Sequence, residues 1–361
     1  KVNFEGEKDM NKGMDSLRLL ISNKPKSKLG FFPTPLYKLE NLSKILNINL
    51  FIKRDDFSGM SLFGGNKIRK LEYLMGDAIT KGCDTVFTYG ATQSNHAMQT
   101  VTACRRLGLN PVLYLIAYVE PDEADIRSNM LLDRILGAEI HIVKSKDGET
   151  ERDTETRCFA MGKDHAAYLE KQGHLCYNIP LGGASPIGSS AFIGGYLEMM
   201  DQCEEMGIKP DYIFSATGTG GTLAGLTAGR CLLSSKAKIV AIAVGDKKPD
   251  YEEHCAQLAN KSLEWLGSGE RISSDFFTVD RNYFAPGYEQ PNAMATEAIR
   301  LLARTEGLLI DPVYTGKAFA GLLGHIREKQ VAPGSTVIFW HTGGATALFA
   351  EKEILGELSK R

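Results

Sequence analysis

No run of uninterrupted apolar residues in this 361-residue chain reaches the about 18 that a membrane-spanning helix needs, so a membrane partner is not expected. No long basic run occurs either, and the formal net charge is −2, which leaves nucleic-acid binding without an electrostatic footprint. None of the seven histidines stands three to five residues from another, and this spacing predicts no metal site. The seven cysteines (Cys83, Cys104, Cys158, Cys176, Cys203, Cys231 and Cys255) are scattered and never form a C-x-x-C pair. They read as small buried hydrophobes in a reducing compartment. No apolar signal-peptide core precedes Leu19, so a cytoplasmic location is the expectation. Internal repeats and low-complexity segments are absent.

What is present is a long alternation of short β-rich runs with helical patterns. Strands are predicted at 50–53, 85–89, 111–117, 139–143, 176–179, 212–216, 238–244 and 336–340, with helices between most of them, among them 125–136 and about 155–169, and with residues 1 to about 24 as a polar arm or irregular helix; the alternation is the signature of parallel, doubly wound α/β sheets. At 43% hydrophobic and 24% charged residues the composition is that of an ordinary globule, and the length exceeds what one core usually supports, so two domains are expected. A composition break at Pro180 to Pro186, PLGGASP, suits a crossing between them.

The chain is organised around SLFGGNKIRKLEYLM, residues 61–75. Gly64 and Gly65 permit a tight turn, Asn66 is a good N-cap, and Ile68, Leu71, Leu74, Met75 and Ala78 recur at helical spacing. Lys67 then lies on the first helical turn. There the helix dipole and any neighbouring cation disfavour an ammonium, which is the condition a Schiff-base lysine needs.

Three other segments end a strand and open a helix. Thr217-Gly218-Thr219-Gly220-Gly221-Thr222 lines up backbone N–H groups as an anion cradle, with a phosphate the expected guest. The dinucleotide fingerprint fails, because its third glycine would fall on Leu223 or its second on Thr222, and the P-loop lysine is missing. Asp246, after the next strand, keeps a nicotinamide enzyme open as an alternative, and such turns also exist for packing alone. Gln93-Ser94-Asn95-His96 can hold a carboxylate on free amides and short polar side chains, or can be a plain cap. In His341-Thr342-Gly343-Gly344 the threonine can offer its hydroxyl to a ring nitrogen, and Tyr288 and Tyr314, on predicted loops, can stack on a flat cofactor or move protons. A lysine, a monophosphate cradle, a carboxylate site and loop aromatics at the ends of parallel strands together suggest pyridoxal 5'-phosphate.

The sequence resembles the pyridoxal-phosphate enzymes of the tryptophan-synthase β-subunit fold, in the branch holding D-cysteine desulfhydrase and 1-aminocyclopropane-1-carboxylate deaminase. The motifs are KRDDFSG (53–59), FGGNKIRKLEYL (63–74), QSNH (93–96), TGTGGT (217–222), EGLLIDPVYTGKA (306–318) and HTGG (341–344). The resemblance implies fold type II: two open, twisted, mostly parallel sheets flanked by helices, with a large cofactor-binding domain at 1–66 and 181–361 and a small α/β domain at 67–180. It makes Lys67 the Schiff-base lysine and the base at the substrate α-carbon, and Ser94, Tyr288 and Tyr314 catalytic. Asn66, Asn95, residues 217–222, Tyr314 and Thr342 would bind cofactor. Gln93, Ser94, Asn95, His96, Tyr288 and Thr315 would meet a small amino-acid substrate. A homodimer is expected on the same ground.

The resemblance also divides the branch. Cyclopropane-opening deaminases are expected to carry glutamate directly after the tyrosine matched by Tyr314, and an apolar residue at Thr342. This chain has threonine at both. The expected reaction is therefore α,β-elimination of D-cysteine to pyruvate, hydrogen sulfide and ammonia. Deamination of aminocyclopropane carboxylate, elimination from cysteate, 3-chloroalanine or D-serine, and a non-catalytic amino-acid- or phosphate-binding module remain the alternatives.

Overall fold

The computed structural model describes residues 4–60, 63–117, 126–290 and 292–350. In chain order the elements are α1 (Phe4–Ser22), β1 (Leu36–Lys38), α2 (Glu40–Leu46), β2 (Asn49–Arg54), α3 (Asn66–Thr80), β3 (Thr85–Ala91), α4 (Asn95–Leu107), β4 (Asn110–Ala117), α5 (Ser128–Ile135), β5 (Glu139–Lys144) and α6 (Glu151–Glu170). They continue as β6 (Cys176–Ile179), α7 (Pro186–Glu205), β7 (Tyr212–Thr217), α8 (Gly221–Leu232), β8 (Lys238–Ala243), α9 (Tyr251–Leu266), β9 (Thr278–Asp280), α10 (Ala293–Glu306), α11 (Thr315–Arg327), β10 (Thr336–His341) and α12 (Ala347–Ala350).

Two sheets result. The larger runs β1-β2-β10-β7-β8-β9 and is parallel except for β1; the smaller runs β5-β4-β3-β6 and is parallel throughout. The large sheet thus draws on 36–54 and 212–341, and the small one on 85–179. Alternation along the buried strands decides which helices each face receives. Ile213, Ile239, Ala241, Ile338 and Trp340 pack toward α7, α8 and α9, whereas Phe214, Val240, Ile242, Val337 and Phe339 pack toward α2, α10 and α11. In the small sheet Phe87, Tyr89, Val112 and Tyr114 meet Cys158 and Ala166 of α6, while Leu113 and Leu115 meet Ala97 and Val101 of α4.

Most predicted elements are found, with informative differences. The expected start of α5 at Asp125 lies outside the described residues. Helix α6 begins four residues before the predicted Glu155, at a Thr150–Asp153 capping box. Helix α9 is not visible as a hydrophobic stripe, because several of its buried positions are the small residues Cys255, Ala256, Ala259 and Ser262. The N-terminal arm is a regular helix, α1, and buries Met14 and Leu17 in the main core.

Candidate active site

A cavity of about 650 Å³ lies where the carboxyl ends of β3, β7, β8 and β10 meet the starts of α3, α4 and α8. Its floor is tied together by backbone. The Asn66 amide donates to the Thr342 carbonyl at 2.9 Å, the Asn66 Nδ2 to Thr222 Oγ1 at 3.1 Å, and Gln99 Nε2 to the Gly64 carbonyl at 3.1 Å. These bonds make Asn66 the first residue of α3 and not its cap, a role taken by Gly65. A Cβ at Gly65 would come within 2.8 Å of Gln99 Nε2 and 3.0 Å of the Thr342 carbonyl, so the approach of the two junctions requires glycine.

Lys67 lines this cavity. Burial pulls its amine down to about 8. The cause is loss of hydration, the strongest of the effects that shift a buried lysine, and not the dipole expected from sequence. One turn on, Lys70 is fully buried and donates to the Gly182 carbonyl at 3.1 Å; burial and then the nearby Lys67 lower it further. The Lys67 amine is thus available as a neutral nucleophile or base near neutral pH.

The glycine-rich turn has the geometry of an anion cradle. Gly220 is left-handed at φ +86° and a Cβ there would sit 2.8 Å from Cys255 Sγ; a Cβ at Gly221 would meet Lys70 Nζ at 2.7 Å. Ala224 makes the first intrahelical bond of α8, to the Gly220 carbonyl at 2.8 Å, so the preceding amides at the helix start have no intrahelical acceptor. Thr217 lines the cavity, but its hydroxyl lies 2.7 Å from the Tyr251 hydroxyl, which itself donates to the Gly218 carbonyl at 2.8 Å. Thr217 is therefore the donor and is spent inside the protein. Tyr251, on α9, braces the turn.

At the start of α4, Ser94 is both cap and cavity residue: its Oγ accepts from the Ala97 amide at 3.2 Å, which leaves its hydroxyl proton to donate. Gly90 makes room for it, since a Cβ there would lie 2.5 Å from Ser94. The Asn95 Oδ1 accepts from Asn129 Nδ2 (2.9 Å) and Thr346 Oγ1 (3.0 Å), turning its NH₂ toward other partners. His96 is neutral, lowered well below its ordinary value by burial and then by Lys67 and Lys70. Because the Thr88 hydroxyl donates to the Ile179 carbonyl at 3.1 Å, His96 Nε2 donates to Thr88 at 2.9 Å, and Nδ1 is a buried acceptor with no partner among the described residues.

Tyr288 and Tyr314 meet through their hydroxyls, with ring centroids 5.8 Å apart at 70°. Burial pushes the Tyr314 phenol up, so it stays a proton donor. Asn66, Lys67, Ser94, Asn95, His96, residues 217–222, Tyr288, Tyr314 and Thr342 all line the cavity.

Two predicted residues do not. Gln93 instead holds the segment before α5, its Oε1 accepting from the Asn129 amide at 3.0 Å. Thr315 is completely buried, and its hydroxyl donates to Asp311 Oδ1 at 2.5 Å. Residues adjacent in sequence to site residues point elsewhere at the start of a helix, which no linear motif records. Sequence reading also missed Asp311, which caps α11 by accepting from the amides of Val313, Tyr314 and Thr315. It missed Lys317 as well, whose ammonium donates to the carbonyls of Gly287 (2.7 Å) and Val244 (3.2 Å) and fixes the segment leading to Tyr288. Glu151 and Glu155, from the charged 144–163 segment, reach the cavity lining.

A buried lysine of lowered basicity, a helix-start cradle and aromatic walls at the carboxyl ends of parallel strands define an enzyme built for a phosphorylated aldehyde cofactor. The chain matches the family described as pyridoxal-phosphate dependent enzyme over residues 28–343, and it belongs to that family. It is 36% identical over 331 residues to a protein of Pyrococcus furiosus, covering 91% of this chain and 95% of that one. It is 38% identical over 327 residues to a protein of Thermotoga maritima, with coverage of 91% and 98%. Both relatives bear the name "Putative 1-aminocyclopropane-1-carboxylate deaminase". A crystal structure described as an ACC deaminase homologue superposes with a TM-score of 0.83 at 35% identity, covering 94% of this chain and 98% of that chain.

Proposed function

We propose that the protein is a pyridoxal-phosphate-dependent lyase that converts D-cysteine and water to pyruvate, hydrogen sulfide and ammonia. The observation that carries this reading is the threonine pair. Thr342 lines the cavity, and the Thr315 hydroxyl seals Asp311, at the positions where ring-opening deaminases are expected to have an apolar residue and a glutamate. A glutamate at 315 would set a second carboxylate against one whose buried pocket already disfavours charge.

The cofactor, when bound, supplies an electron sink for the pair of electrons left at the substrate α-carbon. In this reading Lys67 anchors the cofactor and then, as a neutral amine, takes the α-proton onto Nζ. The α8 amides and Gly220–Gly221 would hold the phosphate, and Asn66 and Asn95 would donate to the cofactor. The Ser94 hydroxyl and the first amides of α4 would take the substrate carboxylate. Thr342 would offer a hydroxyl and no carboxylate to the cofactor ring, so that it would not hold a proton there, a setting that would favour loss of a good β-leaving group such as thiolate. The paired Tyr288 and Tyr314 hydroxyls stand ready to pass a proton to that group.

The reading includes a cytoplasmic location and a homodimer, and sedimentation of the purified protein tests the second. The second reading, ring-opening deamination of aminocyclopropane carboxylate, is favoured by the names that the two relatives bear. Purified holoenzyme given each substrate in turn separates the two. Sulfide with pyruvate from D-cysteine and no 2-oxobutyrate supports desulfhydration, and 2-oxobutyrate without sulfide replaces it by deamination.

A further inference from the structure

The histidine spacing that points away from a metal is bridged by the fold. Glu139 and His141 stand two apart on β5 and so share a face of the small sheet, the face covered by α6, which carries His165. His141 Nε2 lies 2.7 Å from Glu139 Oε1, and His165 Nε2 lies 3.7 Å from the same oxygen. All three ligand atoms fall within 4.8 Å of one another.

Both imidazoles are held from behind by one tyrosine. The Tyr114 ring stacks on His141, with centroids 4.5 Å apart at 11°, and its hydroxyl is 3.2 Å from His165 Nδ1. The second bond leaves His165 Nε2 as the outward atom. The Phe87 ring meets the His165 ring edge to face at 5.3 Å, and fixes its plane further. Partners of this kind behind a ligating histidine set its tautomer and its direction.

We propose that Glu139, His141 and His165 form a site, separate from the cavity, that binds one divalent transition-metal ion such as zinc and fastens α6 to β5. Zinc at about 2.0–2.1 Å from nitrogen and oxygen ligands keeps those ligands roughly 3.3 Å apart, between the two separations found here. The half-exposed Glu139 side chain can turn to equalise them. His141 is also partly open, so water can complete the coordination. Two imidazoles with one carboxylate suit zinc, nickel or copper(II) and disfavour magnesium and calcium, which prefer all-oxygen sites. None of the three residues lines the cavity, yet the first turns of α6 do, through Glu151 and Glu155. The ion would therefore hold the helix that supplies part of the cavity wall.

Calorimetric titration of the holoenzyme with zinc in a magnesium-containing buffer tests this. The expected result is one zinc bound per chain outside the cavity, no competition by magnesium, and affinity at least about tenfold weaker in His141→Ala and in His165→Ala. Tyr114→Phe, which keeps the stacked ring and removes the hydroxyl, is expected to weaken zinc by about tenfold as well. Unchanged cofactor absorbance in each variant shows that the fold persists. As a readout free of substitution, zinc is expected to shift the ring resonances of His141 and His165 together. Zinc binding of equal strength in wild type and both alanine variants, or no shift of those two rings, overturns the site.

Discussion

In the proposed reading Lys67 carries the chemistry; its amine is stripped of water by burial, and its pH behaviour follows. With the folded value near 8 against an ordinary 10.5, the amine is mostly protonated below about 8 and free above it. Protein stripped of its cofactor is expected to recapture pyridoxal phosphate at a rate that rises with pH and levels off above about 8; a flat profile from 6 to 9 contradicts the assignment. The same depression means that folding disfavours the charged form, so this group's contribution to stability improves as pH climbs from about 8 to 10.5. Lys67→Ala removes both anchor and base, and turnover is expected to fall by at least about 10²–10⁴-fold, checked by steady-state assay. Thr315→Glu acts indirectly, since residue 315 faces Asp311 and not the cavity. It is expected to slow desulfhydration about tenfold or more by disturbing the cap beneath Tyr314, and unchanged kinetics on D-cysteine would show that this position does not separate the two activities.

At the scale of elements, the site is four strand ends converging on helix starts, and this much was legible. Glycines and short polar residues after β-rich runs mark those junctions whatever the tertiary structure does with them. The direction of each side chain was not legible. Ser94 and Gln93 are neighbours, yet one caps α4 inside the cavity and the other reaches back to Asn129, because the chain turns between them. Tyr251 and Lys317 gave no signal, although each stands in the first turn of its helix, α9 or α11, and braces the site from there. Metal-ligand spacing along the chain could not register the meeting of His141 and His165, which belong to different elements and come together only in the fold. Lys317 offers the cleaner test. Lys317→Met keeps the length of the stem and removes the two hydrogen bonds that hold the segment before Tyr288. Cofactor absorbance is expected to stay intact while kcat drops several-fold, and an unaltered kcat would separate that segment from catalysis.

For the molecule as a whole, α3 has to be fixed against the large sheet for Lys67 to stay in register, and a buried charge network does this. Arg69, two residues from Lys67, donates to both oxygens of Asp55 (2.7 and 2.8 Å) and to both of Glu198 on α7 (2.8 Å each). Trp340 of β10 donates to Asp55 Oδ2 at 2.9 Å, and Lys53 of β2 reaches Glu198 at 2.5 Å. Lys53 itself is drawn below its ordinary value by burial despite Glu198, so Arg69 is the firmer partner. Burial alone would raise the Glu198 carboxyl, but Arg69 and then Lys53 outweigh it and hold it at about 2. A depressed acid stabilises the fold above its ordinary value of 4.5 and loses that contribution as pH falls toward about 2. Glu198→Ala leaves Arg69 and Lys53 short of an anion in a buried site and is expected to cost roughly 3–5 kcal/mol. Thermal melts across pH should then show a second signature: the wild type loses stability between about 4.5 and 2 partly through this group, whereas the variant lacks that part of the acid slope. Parallel acid slopes in the two proteins would mean that Glu198 does not carry the charge that locks α3, α7 and the large sheet together.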